Sequence, residues 1–416
     1  MNIIAGRLPA EKSNPSIWVA ASALFALMVA VDWPGHAIGD NVRQLAEISA
    51  GQISDWHSPF HSTIWSLLGG SSAAMLVLQL AVYWLGLALV AEALAKRAGV
   101  RWGLAVLALS FTPLSFLYLG RTQKDTFMVA WLVLALGLNL RFGKAAGVLP
   151  ALFGMLSRAN AVFAVPSLFL GTRSLFRNVA IGLAVAVAMV PVSRFINYDI
   201  LHARYSHVER SLMLFDIAGI EEFSGATDIQ PQLSRCYTPF WWDRLEIQCH
   251  AFSNSAGDLT ATWLKAIAAH PGAYLWHRLR AFNSNIYFLV PARQDCLGTF
   301  SPDCSDGPHA VLKDAVSRNP LFWPVTWLLI GSSMLFTRLE PVARALVLSG
   351  LLYGFSYLVF GVAAGFRYFY WTELAIQLAM VWQLATSGLP QWRRIAVAVA
   401  AMWIAGLAFR YLPLLV

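Results

Sequence analysis

The feature that most constrains this chain is a series of apolar runs, each bounded by charged residues and close to bilayer length. A membrane-spanning helix needs roughly 20 mostly apolar residues. Hydrophobic residues make up 58% of the 416 positions and charged residues 12%, which excludes a soluble enzyme and a disordered tail. We therefore predict an all-α polytopic membrane protein. Eleven runs are expected to cross: 17–33, 72–94, 102–119, 126–141, 145–157, 159–171, 178–195, 319–336, 345–364, 368–386 and 394–410.

The number of crossings depends on dividing the stretch 145–171 at Arg158. A single helix would carry this arginine at its middle, where a charge facing lipid costs roughly 2.5 to 3.5 kcal/mol or more. Two short helices with Arg158 between them avoid that cost. The division also places the long segment 196–318 outside the cytoplasm.

The charges are distributed as this topology requires. With the N-terminus inside, the cytoplasmic segments hold thirteen basic residues and three acidic ones, as the positive-inside rule predicts. Most of the net charge of +8 is therefore topological, and its expected partners are anionic membrane lipids, not nucleic acid.

Three regions follow from this topology. We predict an N-terminal transmembrane module at 1–195, an extracytoplasmic cap at 196–318 and C-terminal transmembrane helices at 319–416. The module contains the first outer loop, 34–71, in which residues 42–49 show the spacing of an amphipathic helix lying at the membrane interface. A second short helix is expected from Pro59 to Leu68.

All four cysteines lie in the predicted cap, on the side where disulfides form. Two disulfides are therefore expected. Pairing Cys236 with Cys249 and Cys296 with Cys304 gives the shortest closures, but the sequence leaves all three pairings open.

Aromatic residues recur in the same cap, and they have two interpretations. Their rings stack on sugars, or they simply pack against neighbouring helices, which is the commoner role at helical spacing. The residues are Trp241, Trp242, Trp263, Tyr274 and Trp276.

Five cations stand in outer loops, where the positive-inside bias disfavours them. Each lies at the end of a crossing or beside an aromatic residue, as Arg367 does beside Tyr368, so we predict a site for a phosphorylated lipid headgroup. The alternative is that each cation pairs with a nearby acid, such as Asp125, or contacts ordinary anionic lipid. The cations are Arg43, Arg121, Lys124, Arg158 and Arg367.

Asp40 follows the first crossing, and its carboxylate would accept a proton from an attacking hydroxyl or bind a metal. The alternative role is an N-cap of the following helix. His57 and His61 are four residues apart, but Pro59 intervenes and no acid occupies the metalloprotease position. Zinc is therefore not favoured, and both histidines are candidate substrate-binding residues with Asp125.

Several short motifs occur in an order that resembles the C-type (GT-C) integral-membrane glycosyltransferases, which include protein O-mannosyltransferases and the aminoarabinose transferases of lipid A. The resemblance covers the first 200 residues best. The motifs are Gly39-Asp40, His57-Ser58-Pro59-Phe60, Lys124-Asp125 and Ser157-Arg158-Ala159-Asn160.

The resemblance implies a GT-C-like fold and a polyprenyl-phosphate sugar as donor. By position, Asp40 matches the family's first-loop acid, and Lys124, Arg158 and Arg367 are candidates for holding the donor phosphate. The outer loops lack the Asp-x-Asp of metal-dependent oligosaccharyltransferases. A divalent cation, Mg²⁺ or Mn²⁺, is therefore possible but not favoured, and the sequence identifies no certain cofactor.

The expected function is transfer of a sugar from the donor to a hydroxyl of a glycan, lipid or protein acceptor. The expected location is the inner membrane of a bacterium, with the site facing the periplasm or exterior. Two alternatives remain: a lipid-linked polysaccharide polymerase or ligase, and a lipid or solute transporter (flippase).

Overall fold

A computed structural model describes residues 14–37, 39–170, 175–226, 233–254, 258–291, 318–388 and 391–412. Within these ranges the chain is helical, and its only β-type pairings are isolated bridges such as His36 with Arg121. The first ten α-helices are α1 (Pro15–Asp32), α2 (Asp40–Ser49), α3 (Pro59–Leu67), α4 (Ser72–Ala98), α5 (Val100–Ala108), α6 (Pro113–Leu119), α7 (Lys124–Phe142), α8 (Lys144–Ser157), α9 (Ala161–Leu170) and α10 (Leu175–Arg194).

Nine further α-helices are described, and three of those beyond Asn285 have 18 residues or more. They are α11 (Arg210–Ser224), α12 (Asp243–Cys249), α13 (Ala251–Asn254), α14 (Leu259–Ala269), α15 (Pro271–Asn285), α16 (Pro324–Met334), α17 (Pro341–Phe360), α18 (Tyr370–Ser387) and α19 (Trp392–Tyr411).

Each of the eleven predicted crossings contains helix, but fewer than eleven helices are long and apolar enough to cross a membrane by themselves. Six described helices are long and apolar enough: Pro15–Asp32, Ser72–Ala98, Lys124–Phe142, Phe176–Ile200, Pro341–Phe360 and Trp392–Tyr411. A pair bent by 65°, Val100–Phe111 with Pro113–Leu119, raises the number to seven. The chain is therefore a multi-pass helical membrane protein, and a count of eleven stays a prediction.

The helix break predicted at Arg158 is confirmed. Helix α8 ends at Ser157, and Arg158 itself has an extended backbone, with φ −152° and ψ 124°. Helix α9 starts at Ala161. The stretch is two helices because the Arg158 guanidinium leaves the apolar surface to meet the carboxylate of Asp125.

The chain divides into two compact units. The first comprises Met1–Tyr205, Trp327–Gly354 and Arg367–Val399, and the second comprises Ser206–Thr326, Phe355–Phe366 and Ala400–Val416.

In the first unit, α4 packs closely against α7 and α7 against α8. Small residues allow the approach: a β-carbon added at Gly137 would lie 2.6 Å from the carbonyl oxygen of Gly86. Close backbone contact of this kind is a common basis of helix association in membranes. The pairing fixes the position of the first turn of α7, where Lys124 and Asp125 lie.

In the second unit, α11 packs against α14 and α15. A disulfide joins Cys236 to Cys249, which confirms that predicted pairing. The predicted pair Cys296 and Cys304 lies outside the described residues.

Candidate functional site

The loop 34–71, predicted to be the first outer loop, is attached to the turn before α7 by backbone and side-chain hydrogen bonds. The amide of His36 donates to Gly120 O at 3.0 Å, and the amide of Thr122 donates to His36 O at 3.4 Å. The buried side-chain amide of Asn41 donates to Thr122 O as well. These bonds bring the start of α2 next to the start of α7.

Asp40 is the first residue of α2 and not its N-cap. That position belongs to Gly39, whose φ of 57° lies in the region that favours glycine, and no side chain caps the helix. The carboxylate Oδ2 of Asp40 instead accepts a hydrogen bond from Arg367 Nη2 at 2.8 Å. The capping interpretation of Asp40 is therefore wrong.

Asp125 lies between two arginines from distant parts of the chain. Its Oδ1 is 2.8 Å from Arg158 Nη1, and its Oδ2 is 3.9 Å from Arg367 Nε. The Asp125 side chain is only 2% exposed. Its partners therefore come from the α8–α9 break and from a late 3-10 turn, not from the neighbouring Arg121 and Lys124.

Lys124 faces the first outer loop from the start of α7. Its ammonium donates to His57 Nδ1 at 3.3 Å, because a lysine ammonium has no acceptor. His57 is held in place by the next residue, since the Ser58 hydroxyl caps α3 and donates to Leu156 O at 2.8 Å.

Tyr368 completes the group by stacking on both arginines. The Arg158 guanidinium carbon lies 4.6 Å from the centre of its ring, and the Arg367 carbon lies 5.0 Å from it. The Tyr368 hydroxyl accepts from Arg367 Nη2 at 3.2 Å. Cation–π contacts of this kind orient guanidinium planes. We call Asp40, Lys124, Asp125, Arg158 and Arg367 the charged cluster.

The Arg367 guanidinium keeps Asp40 charged, and burial keeps the two nearby histidines, His57 and His61, neutral. The Arg367 guanidinium holds the pKa of Asp40 well below its usual range, against the opposing effect of burial. Burial, reinforced by Lys124, lowers the pKa of His57 to about 2 and that of His61 to about 3. At neutral pH the cluster therefore has an excess of positive charge and suits an anion.

Arg121 lies beside this cluster and is 7% exposed. Its guanidinium stacks on the Tyr118 ring, 5.1 Å from the ring centre. Its Nε and Nη2 are buried and have no hydrogen-bond acceptor among the described residues. Burial first, with a smaller effect from Arg367, lowers its pKa.

Two predicted site residues are engaged elsewhere. The Arg43 side chain is 60% exposed, stacks on Trp56 at 5.0 Å and lies 3.9 Å from Glu47. His61 is fully buried, and its Nδ1 lies 3.3 Å from the amide nitrogen of Gln44. The structure brings the other cations together but leaves Arg43 at the edge and His61 in the core.

The two histidines contact different residues. His57 meets Lys124, whereas His61 meets Gln44. Among the residues that the structure describes, no group of three or more His, Cys, Asp or Glu side chains is placed to hold a metal ion.

The second unit contains a buried polar group that was not predicted from the sequence. The Asp216 carboxylate lies 3.1 Å from His277 Nε2 and 2.5 Å from Arg278 Nη2, and it accepts from the Trp263 indole at 2.8 Å. His277 Nδ1 is 2.9 Å from the hydroxyl of Tyr237. The available signal was an aspartate within the apolar run that forms α11. The group joins α11, α14 and α15, so one predicted sugar-stacking residue, Trp263, has a structural partner.

The comparisons with known proteins find no match for this chain among family models, curated proteins or solved structures.

Proposed function

We propose that this protein is a GT-C-type membrane glycosyltransferase, which moves a sugar from a polyprenyl-phosphate donor to an acceptor hydroxyl. The single observation that carries the proposal is the charged cluster, in which a carboxylate on an outer loop, Asp40, is paired with an arginine in a cation-rich site. A phosphorylated lipid supplies the anion that these cations need. Its polyprenyl chain would remain in the bilayer that the helices cross.

The chemistry separates two roles. The acceptor oxygen attacks the anomeric carbon, the bond from that carbon to the phosphate oxygen breaks, and its electron pair leaves with the lipid phosphate. Lys124, Arg158 and Arg367 stabilise the charge that develops on this phosphate. Asp40 orients the acceptor hydroxyl and takes its proton.

Because Asp40 is paired with Arg367, donor binding would come before Asp40 acts as a base. A carboxylate whose pKa is held down by a guanidinium is a weak base. A donor phosphate competes for Arg367, which raises the basicity of Asp40 as the donor binds. Asp40 would therefore become an effective base only when the leaving group is in place.

The proposed location is the inner membrane of a bacterium, with the cluster at the outer face. Support comes from the thirteen basic residues and three acidic residues on the opposite predicted side. The same geometry supports a polysaccharide polymerase or ligase, which uses the same kind of donor and moves a longer glycan.

The experiment is a transfer assay with protein purified into nanodiscs, hydroxyl acceptors, and polyprenyl-linked hexoses that carry one or two phosphates as donors. We expect Asp40→Asn to fold and bind donor, but to transfer at least about a hundredfold more slowly. Glu47→Gln is the matched control, because it makes the same acid-to-amide change on α2, where Glu47 bonds to Ser54. It should transfer normally.

Two outcomes would oppose the proposal. Near wild-type transfer by Asp40→Asn would refute its catalytic role and direct attention to Asp125. Absence of transfer by the wild-type protein with every donor, together with movement of the lipid between leaflets, would identify a flippase.

A further inference from the structure

We infer that the anion bound at the charged cluster is a diphosphate, so that the donor is a polyprenyl-diphosphate sugar and not the monophosphate. This inference rests on the proposed function and names the substrate class of the same site. Two observations support it: the buried cations outnumber the buried carboxylates, and the Arg121 guanidinium is buried without an acceptor among the described residues.

The charged cluster and Arg121 together hold four cations and two carboxylates. Arg158 and Arg367 share Asp125, and Arg367 also contacts Asp40. Lys124 donates to a neutral histidine, which supplies no negative charge. Among these six residues the positive charges therefore exceed the carboxylates by two. Buried charges are costly unless an opposite charge meets them.

Arg121 is the cation that a single phosphate would leave without a negatively charged partner. It is 93% buried as a residue, yet two of its guanidinium nitrogens have no acceptor in the described part of the chain. Its contact with Tyr118 is a ring face and not a charge. A guanidinium in such a setting offers two parallel N–H donors, which is the arrangement that phosphate oxygens accept.

The excess positive charge of the protein matches the charge of a diphosphate both before and after the reaction. A diphosphate diester carries about two negative charges and its leaving group about three, whereas the monophosphate series carries about one and two. When sugar transfer breaks the bond between the anomeric carbon and the phosphate oxygen, the electron pair stays on the lipid and the acceptor proton goes to Asp40. The protein excess then rises from two to three, which matches the diphosphate at both stages.

The test compares two lipids that share one polyprenyl chain and one hexose and differ only in having one or two phosphates. Binding to the protein in nanodiscs is measured directly, without transfer. We expect the wild-type protein to bind the diphosphate at least about tenfold more tightly, the effect of one charge-assisted contact. Arg121→Gln should bring the ratio near one with little loss of monophosphate binding, and Arg121→Lys should retain part of the preference.

Thermal unfolding without ligand separates a binding role from a structural one. Removing a buried cation that lacks a carboxylate should leave the Tm of Arg121→Gln unchanged or raised. A structural role would lower it. Arg101→Gln is the matched control, since Arg101 is exposed on α5, and it should leave the binding ratio and the Tm unchanged.

The possible failures are distinguishable. Equal binding of the two lipids by the wild-type protein would overturn the diphosphate inference and leave the proposed function intact. An equal loss of both lipids in Arg121→Gln, or a lowered Tm, would also overturn it by assigning Arg121 to a single phosphate site or to the fold. Binding of neither lipid would overturn the proposed function itself.

Discussion

The guanidinium of Arg367 lies 2.8 Å from the carboxylate of Asp40, although 327 positions of the chain separate the two residues. The contact joins the first outer loop to a late 3-10 turn. Arg367 also approaches Asp125 at the start of α7, 3.9 Å away. One arginine thus connects both acids of the charged cluster, so a ligand that draws this arginine changes the environment of both.

The pair formed by Asp40 and Arg367 predicts a pH dependence of stability with a definite sign. The folded pKa of Asp40 is lowered, so the pair stabilises the protein above the unfolded carboxyl pKa of about 3.9. That contribution is lost as the pH falls through the folded value. We expect the Tm difference between wild type and Asp40→Asn to be constant from pH 7 to about pH 5 and to shrink below about pH 4. A difference that persists unchanged at pH 3 would contradict this account.

Asp125 should matter more for stability than Asp40. Its side chain is 2% exposed and lies between two arginines, whereas that of Asp40 is 40% exposed. Breaking a buried ion pair by removing one partner costs about 3 kcal/mol or more, and exposed pairs are worth about 1 kcal/mol or less. We expect Asp125→Asn to lower the Tm clearly and Asp40→Asn to lower it slightly, measured by thermal unfolding in one detergent. The reverse order would show that the Asp125 contacts are not stabilising.

The cations of the cluster should each contribute to donor binding. A charge-assisted hydrogen bond is worth roughly 1.5 to 3 kcal/mol, which corresponds to about ten- to a hundredfold in affinity. We expect that loss in each of Lys124→Ala, Arg158→Ala and Arg367→Ala, measured in nanodiscs with whichever polyprenyl-linked hexose, monophosphate or diphosphate, the wild-type protein binds more tightly. Unchanged affinity in all three folded variants would leave these residues as ion-paired or topological charges.

Much of the fold and part of the site were predictable from residue patterns. The break at Arg158 and the amphipathic α2 follow from the cost of burying charge in lipid and from helical periodicity. The residue that each charged side chain contacts could not be predicted from these patterns. Asp125 was a natural partner for its neighbours, but residues one apart on a helix do not face each other, and its actual partners lie far along the chain.

Two further residues show the limit of sequence patterns. Glu373 stands six positions after Arg367 in the sequence, but its Oε1 accepts from Gln377 at 2.8 Å, one turn further along α18. Arg121 resembled the other outer cations, yet only the structure reveals that its guanidinium is buried without an acceptor among the described residues. Burial depends on contacts between helices that sequence spacing does not specify.

The proposed reaction at the outer face requires a particular orientation of the chain in the membrane. The charge distribution predicts that the segment 196–318 lies outside and that the loop before α19 lies inside. We expect a cysteine at Lys265 to react with a membrane-impermeant maleimide in intact cells, and a cysteine at Arg393 to react only after the inner face is opened. Both positions are exposed on the protein surface, so burial inside the protein does not explain a failure to react. The wild-type chain, with its native cysteines, gives the background labelling. If Lys265→Cys reacts only after the inner face is opened, the predicted topology is inverted. The division of 145–171 into two crossings at Arg158 would then be in doubt.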